Sequence, residues 1–149
     1  MPQSLSNLLA HFVFSTKHRG PLITLEMQSR LYAYMGGIIR SEKCIPLQIG
    51  GMPDHVHALV KVHPTVAAAH LLQVFKANSS GWVNDTFQGP RFSWQNGYGA
   101  FSVGPRDVER VRSYIINQAE HHKAKTFQDE YREMLQEAGI EYDERYLWD

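Results

Sequence analysis

His55 and His57, separated by a single valine, are the residues of this sequence best suited to chemistry. Side chains along an extended strand point alternately to its two faces. The run His55 to Val62 therefore puts His55, His57, Leu59 and Lys61 on one face and Val56, Ala58, Val60 and Val62 on the other. The all-apolar set belongs against helices, which leaves two imidazoles side by side on the opposite face. Both could then bind one cation, imidazole being the commonest nitrogen ligand for metals. The same pattern also describes two partly exposed histidines on a solvated sheet, and the motif alone does not separate these readings.

A second group lies in Tyr114-Ile115-Ile116-Asn117-Gln118. On a helix opening near Pro105, Val108, Val111, Ile115 and Ala119 mark the apolar stripe, and Tyr114, Gln118 and His121 project together along one flank. Alone, Tyr114 is equally an amphipathic edge residue with a wet hydroxyl. Set beside the histidine pair, Gln118 gains meaning. Two imidazoles leave a cation under-coordinated, and a carboxamide oxygen is a suitable third ligand. Asp54 reads as part of a turn and His121 as a solvated helix end, and His122 has no better claim.

These groups need a scaffold, and its elements can be read along the chain. Leu8 to Thr16 is a short aromatic strand bounded by the polar turn Lys17 to Pro21. Thr24 is a helix N-cap, followed by Met27, Leu31, Met35, Ile38 and Ile39 at helical spacing. Ile45 to Ile49 forms a second strand, Gly50 to Asp54 a turn and His55 to Val62 a third strand. A helix opening at Pro64-Thr65 is expected to end near Ser79-Ser80-Gly81, and Tyr98 to Val103 is the fourth strand. After the Pro105 helix, a last one runs from Phe127 to Ala138 and stops at Gly139. The fold class is thus α+β: a ferredoxin-like split βαβ with an antiparallel sheet, helices on one face, and additional C-terminal helices carrying the tyrosine.

Composition bounds the partners. At 149 residues the chain is one domain, and no apolar run approaches the roughly 18 to 20 residues of a membrane span. The lone Cys44 excludes an intramolecular disulfide and, with no secretory signal at the start, fits a cytoplasmic protein. The formal net charge is zero, but it is unevenly shared. Residues 1–125 carry 13 Lys and Arg against 7 Asp and Glu, with all 8 histidines, whereas residues 126–149 carry 2 against 8. A basic body, 1–125, is therefore joined to an acidic helix and tail, 126–149, within the same domain. The tail is expected to pack against the body or its dimer mate, or to stay clear of the path of any anionic partner. Lys17 and Arg19 in one loop, Lys76, and Arg91 near Trp94 suit a flexible single strand of nucleic acid, although each cluster taken singly also reads as solvated surface.

The segments Gly50-Gly51-Met52-Pro53-Asp54-His55-Val56-His57, His11 to Lys17, Trp94 to Val103, and Tyr114-Ile115 with Asn117-Gln118 and His121-His122 resemble the HUH-type, single-tyrosine transposases of bacterial insertion sequences, the insertion-sequence two-hundred type. The likeness runs through nearly the whole chain and includes Tyr142 to Trp148. It implies a DNA strand transferase, usually a homodimer, that cleaves and rejoins single-stranded DNA with hairpin ends through a 5′-phosphotyrosine. It further implies Tyr114 as nucleophile, and His55, His57 and Gln118 as ligands of Mg²⁺ or Mn²⁺. Alternatives are a related HUH nicking enzyme, a domesticated protein that processes hairpin repeats, or a non-catalytic ferredoxin-like nucleic-acid-binding module.

Overall fold

The computed structural model describes Pro2 to Asp149. Four antiparallel strands, β1 (Leu8–Ser15), β2 (Ile45–Met52), β3 (His55–Val62) and β4 (Gly99–Ser102), lie in the order β2-β3-β1-β4. Helix α1 (Leu25–Ser41) connects β1 to β2, and α2 (Ala68–Thr86) connects β3 to β4. This is the split βαβ arrangement expected from the sequence. The central strands pair in full register, from Leu8 opposite Val62 to Ser15 opposite His55.

One sheet face carries the main core. Phe12 and Phe14 of β1 and Val56, Ala58, Val60 and Val62 of β3 pack with Leu31, Met35 and Ile39 of α1 and Leu72 and Phe75 of α2. Thr24 caps α1, its hydroxyl oxygen accepting from the Met27 amide at 3.3 Å. The bounds of α2 and β2 differ most from the sequence reading. Helix α2 starts three residues beyond Thr65 and runs past Gly81 to Thr86, because Trp82 stacks on Tyr34 of α1 at 4.6 Å between centroids and Val83 is buried. Strand β2 extends through Gly50 and Gly51 to Met52, leaving only Pro53 and Asp54 as the hairpin turn.

The opposite face is covered by the C-terminal third of the chain. Helix α3 (Val108–Ile116) lays Val111 and Ile115 on Leu59. Helix α5 (Phe127–Glu137) lays Phe127, Tyr131 and Leu135 on Val13. Between them, α4 (Gln118–His121) is a single turn set off by a break at Asn117. The acidic end of the chain therefore packs on the body, against the sheet face that bears the histidine pair. The last residues are tied down as well: Gly97 donates to the Asp149 carbonyl at 3.0 Å, and Arg19 lies over the Trp148 ring at 5.0 Å. Among the described residues no helix is long and apolar enough to cross a membrane.

Candidate metal and nucleophile centre

Strand alternation puts His55 and His57 on the face toward α3, α4 and α5, where both are fully buried. Their rings lie 5.1 Å apart between centroids. The two-residue turn that closes the β2–β3 hairpin aims the carboxylate of Asp54 back at His55, whose Nδ1 stands 2.7 Å from Asp54 Oδ1. Burial opposes ionisation of Asp54, but its hydrogen bond with His55 outweighs this and lowers the carboxyl pKa. With Nδ1 as donor, a neutral His55 presents its lone pair on Nε2, the state in which imidazole ligates metals. On β1 the same alternation brings in His11, whose Nε2 lies 2.8 Å from His57 Nδ1. Burial, reinforced by His57, pulls His11 down to about 3. His57 is also lowered, chiefly by burial, so both rings of this pair are neutral near pH 7.

Tyr114, on the last full turn of α3, reaches the same pocket, with its ring 5.6 Å from that of His57. The chain breaks at Asn117 and restarts as α4, so Tyr114 and Gln118 do not share a continuous helix; they still converge. Gln118 Oε1 is 3.0 Å from His55 Nε2 and 3.0 Å from His122 Nε2. His121 Nε2 lies 3.3 Å from the Tyr114 hydroxyl.

At the centre is a residue that the sequence reading did not select. Glu130 of α5 is 1% exposed. Its Oε1 lies 3.0 Å from His57 Nε2 and 3.5 Å from His55 Nε2, and its Oε2 lies 3.1 Å from His121 Nε2 and 3.4 Å from His122 Nε2. The Tyr114 hydroxyl donates to Oε2, and Gln118 donates to the same oxygen at 3.3 Å. Burial alone would raise the Glu130 pKa, but hydrogen bonds from His57 and Tyr114 outweigh it and hold the carboxyl well below the usual range. Burial and the neighbouring carboxylate together push the Tyr114 phenol above its ordinary value. A signal for Glu130 existed in the sequence: it falls three residues after Phe127 and one before Tyr131, inside the buried stripe of its helix. His122, read as having no special claim, is half-buried, with its ring 4.8 Å from that of His55.

Ligand atoms of His55, His122 and Glu130 all lie within 4.8 Å of one another, so this cluster can hold a metal ion. The donor chemistry fits a divalent cation, with a carboxylate and a carboxamide offering hard oxygens beside borderline imidazole nitrogens. His57 stands at the edge of the set, its Nε2 on Glu130 and its Nδ1 on His11.

The basic and aromatic residues singled out for DNA are more dispersed. Lys17 is exposed and Arg91 lies at the surface. Arg19 and Lys76 are already engaged, Arg19 over Trp148 and Lys76 by donating to the carbonyls of Asn96 at 3.0 Å and Gly97 at 2.8 Å. Trp94 is a core residue, 6% exposed, packed edge-on against Phe14 and Phe92 with its indole N–H on Ser79. Its ring offers no free face for a base. Beside the histidine cluster a cleft of about 500 Å³ is lined by His11, Tyr114, His121, Glu130, Glu133 and Arg110, among others.

A profile of the family described as Transposase IS200 like matches residues 4–118. A protein from Deinococcus radiodurans R1, described as a candidate transposase and solved by crystallography, superimposes with a TM-score of 0.64 at 21% identity. The match covers 79% of this chain and 98% of that one. A REP-associated tyrosine transposase bound to a REP hairpin superimposes with a TM-score of 0.59 at 15% identity, covering 81% of this chain and 72% of that one. At these identities the likeness is one of fold. Among curated proteins, none matches.

Proposed function

The chain belongs to the IS200-like transposase family, and from that premise we propose that it cleaves and rejoins single-stranded DNA with Tyr114 as the nucleophile. The observation that carries this reading is the meeting, in one pocket, of the Tyr114 hydroxyl with His55, His57 and Gln118 around a buried carboxylate. The phenolic oxygen attacks phosphorus, an O–P bond forms, and the bond to the 3′ oxygen breaks. The products are a 5′-phosphotyrosine and a 3′-OH, which carries, in net balance, the phenolic proton. One ester replaces another, so the bond energy is retained, and a different 3′-OH can reverse the step to join new strands.

In this reading His55, His57 and Gln118 hold Mg²⁺ or Mn²⁺. When bound, such an ion polarises a non-bridging phosphate oxygen and stabilises charge on the departing 3′ oxygen. Asp54 fixes the ring of His55 through Nδ1, as a group behind a ligating histidine does. Glu130 accepts the Tyr114 hydrogen bond and so sets the direction of the attacking oxygen. A protonated phenol held above its ordinary pKa is a weak nucleophile, so its proton must leave as the bond to phosphorus forms.

Strands bearing hairpins are the proposed substrate, in keeping with the hairpin bound by the REP-associated relative. Lys17, Arg19, Lys76 and Arg91 remain the proposed phosphate contacts. A homodimer and a cytoplasmic location belong to the same proposal. So does a domain plan in which residues 1–125 and the acidic end, 126–149, form one unit; Glu130 supports this by lying within the site.

The test is incubation with a hairpin-bearing single strand and Mn²⁺, read on a denaturing gel. Wild type should form a covalent protein–DNA adduct, and Tyr114→Phe should lose it while still binding the strand. An adduct undiminished in Tyr114→Phe would overturn the assignment, and no adduct from wild type would favour a non-catalytic binding module.

A further inference from the structure

The hydrogen-bond roles in the pocket do not close. His55 Nδ1 faces Asp54 Oδ1 at 2.7 Å, and His122 Nδ1 faces the Lys125 carbonyl at 2.7 Å. Each of these partners can only accept, so each imidazole carries a proton on Nδ1. The neutral form of each ring then has a lone pair on Nε2. Both lone pairs point at Gln118 Oε1, 3.0 Å from each, and both Nε2 atoms lie beside the Glu130 carboxylate, at 3.5 and 3.4 Å. Turning the Gln118 amide over moves the conflict without removing it. The amide oxygen would then face the Tyr114 carbonyl and Glu130 Oε2, which the NH₂ group now contacts at 3.4 and 3.3 Å. Acceptor atoms of four residues thus lie together, and one ligand atom each of His55, His122 and Glu130 lies within 4.8 Å of the others.

The charge does not close either. Glu130 is buried, and among the described residues its hydrogen-bond and ion-pair partners are histidines, a tyrosine and a glutamine, with no Lys or Arg. A desolvated carboxylate that no permanently charged side chain pairs with is costly. Two neutral imidazoles and a carboxamide, conversely, would leave a buried divalent cation with no charge compensation.

We propose that Glu130 and His122 are further ligands of the divalent cation, joining His55, His57 and Gln118, so that the C-terminal helix supplies the one anionic donor of the site. This rests on the reading that a cation binds beside the histidine pair. Glu130 thereby has two tasks. Its Oε1 lies beside His55 Nε2 at 3.5 Å and its Oε2 holds the Tyr114 hydroxyl, so that one carboxylate would tie the ligand set to the nucleophile. His57 Nε2 lies 3.0 Å from the same Oε1, so the histidine pair and the carboxylate meet at one place.

The experiment is calorimetric titration of metal-free, full-length protein with MnCl₂ alone at pH 7.5. Wild type should bind one ion. Glu130→Gln keeps the shape but removes the charge and should weaken binding at least tenfold; His122→Ala should do the same. Glu137→Gln removes a charge from the same cleft without touching the cluster and should stay within twofold of wild type. If wild type binds no Mn²⁺, the underlying reading of a cation site fails. If wild type binds, and His57→Ala or Gln118→Ala weakens it, while Glu130→Gln and His122→Ala bind like wild type, this proposal alone is overturned and the acceptors are reconciled by protons. Should Glu130→Gln fail to fold by circular dichroism, the more accessible His122→Ala decides.

Discussion

His11 and His57 are buried imidazoles linked ring to ring, and both are held neutral by desolvation. Their folded pKa values lie below the unfolded value of about 6.5, so the unfolded chain takes up protons that the folded chain refuses. The stability these rings contribute is present above pH 6.5 and is lost as pH falls toward about 3, the value for His11. Between pH 6.5 and 5 carboxylates titrate little, so the window isolates the imidazoles. There, urea unfolding of the metal-free protein should lose about 1.4 kcal/mol per pH unit for each ring kept neutral. His11→Gln, whose amide can still donate to His57 Nδ1, should flatten that slope by about one proton. A slope unchanged by His11→Gln would show that His11 is protonated in the folded state.

What holds Tyr114 over the histidines is the seating of α3 on β2, and that seating depends on a missing side chain. A Cβ at Gly50 would stand 2.8 Å from Ile115 Cγ2 and 2.9 Å from the Ile115 carbonyl oxygen, next in sequence to Tyr114. The second contact is with backbone, so the helix must move. Gly50→Ala should cost about 1 to 3 kcal/mol in unfolding free energy and reduce adduct formation more than substrate binding. Gly37→Ala, at an exposed position inside α1 with nothing within 4 Å of the new Cβ, should instead stabilise by about 0.5 to 1 kcal/mol. The same contrast shows what could be read beforehand. The order of elements and the faces of β3 followed from period-2 alternation in Val56 to Val62, and the Thr24 cap from local chemistry. Glu130 lies 73 residues from His57, and no local rule states that α5 turns back over the sheet. Its charge was counted with the tail, although its place in the stripe of Phe127, Tyr131 and Leu135 already set it apart from its solvated neighbours. Trp94 misled in the opposite sense, since a tryptophan beside an arginine fits a stacking platform as well as it fits a core.

On the scale of the molecule, neutrality resolves into a basic body and an acidic end, and the fold brings the acidic end to the cleft. Glu133 and Glu137 are exposed on α5 and line the cleft with Tyr114 and Glu130, while Asp107 and Arg110 face them from the other wall. Among the residues that line the cleft, Arg110 is the one Lys or Arg, set against Asp107, Glu130, Glu133 and Glu137. The acidic helix therefore contributes the buried carboxylate of the cluster, and under the proposed function its exposed side chains would oppose entry of the strand. Glu133→Gln with Glu137→Gln should tighten binding of a hairpin-bearing single strand several-fold at low ionic strength. The gain should shrink as salt rises, because repulsion across exposed side chains is screened over about 10 Å at 0.1 M. Glu133 also pairs with Lys125, so the double variant frees that ammonium and adds to the effect. Fluorescence anisotropy with a labelled strand at 50 and 300 mM NaCl gives the comparison. Equal affinity of variant and wild type at 50 mM would mean that the strand reaches Tyr114 by a path that avoids this wall.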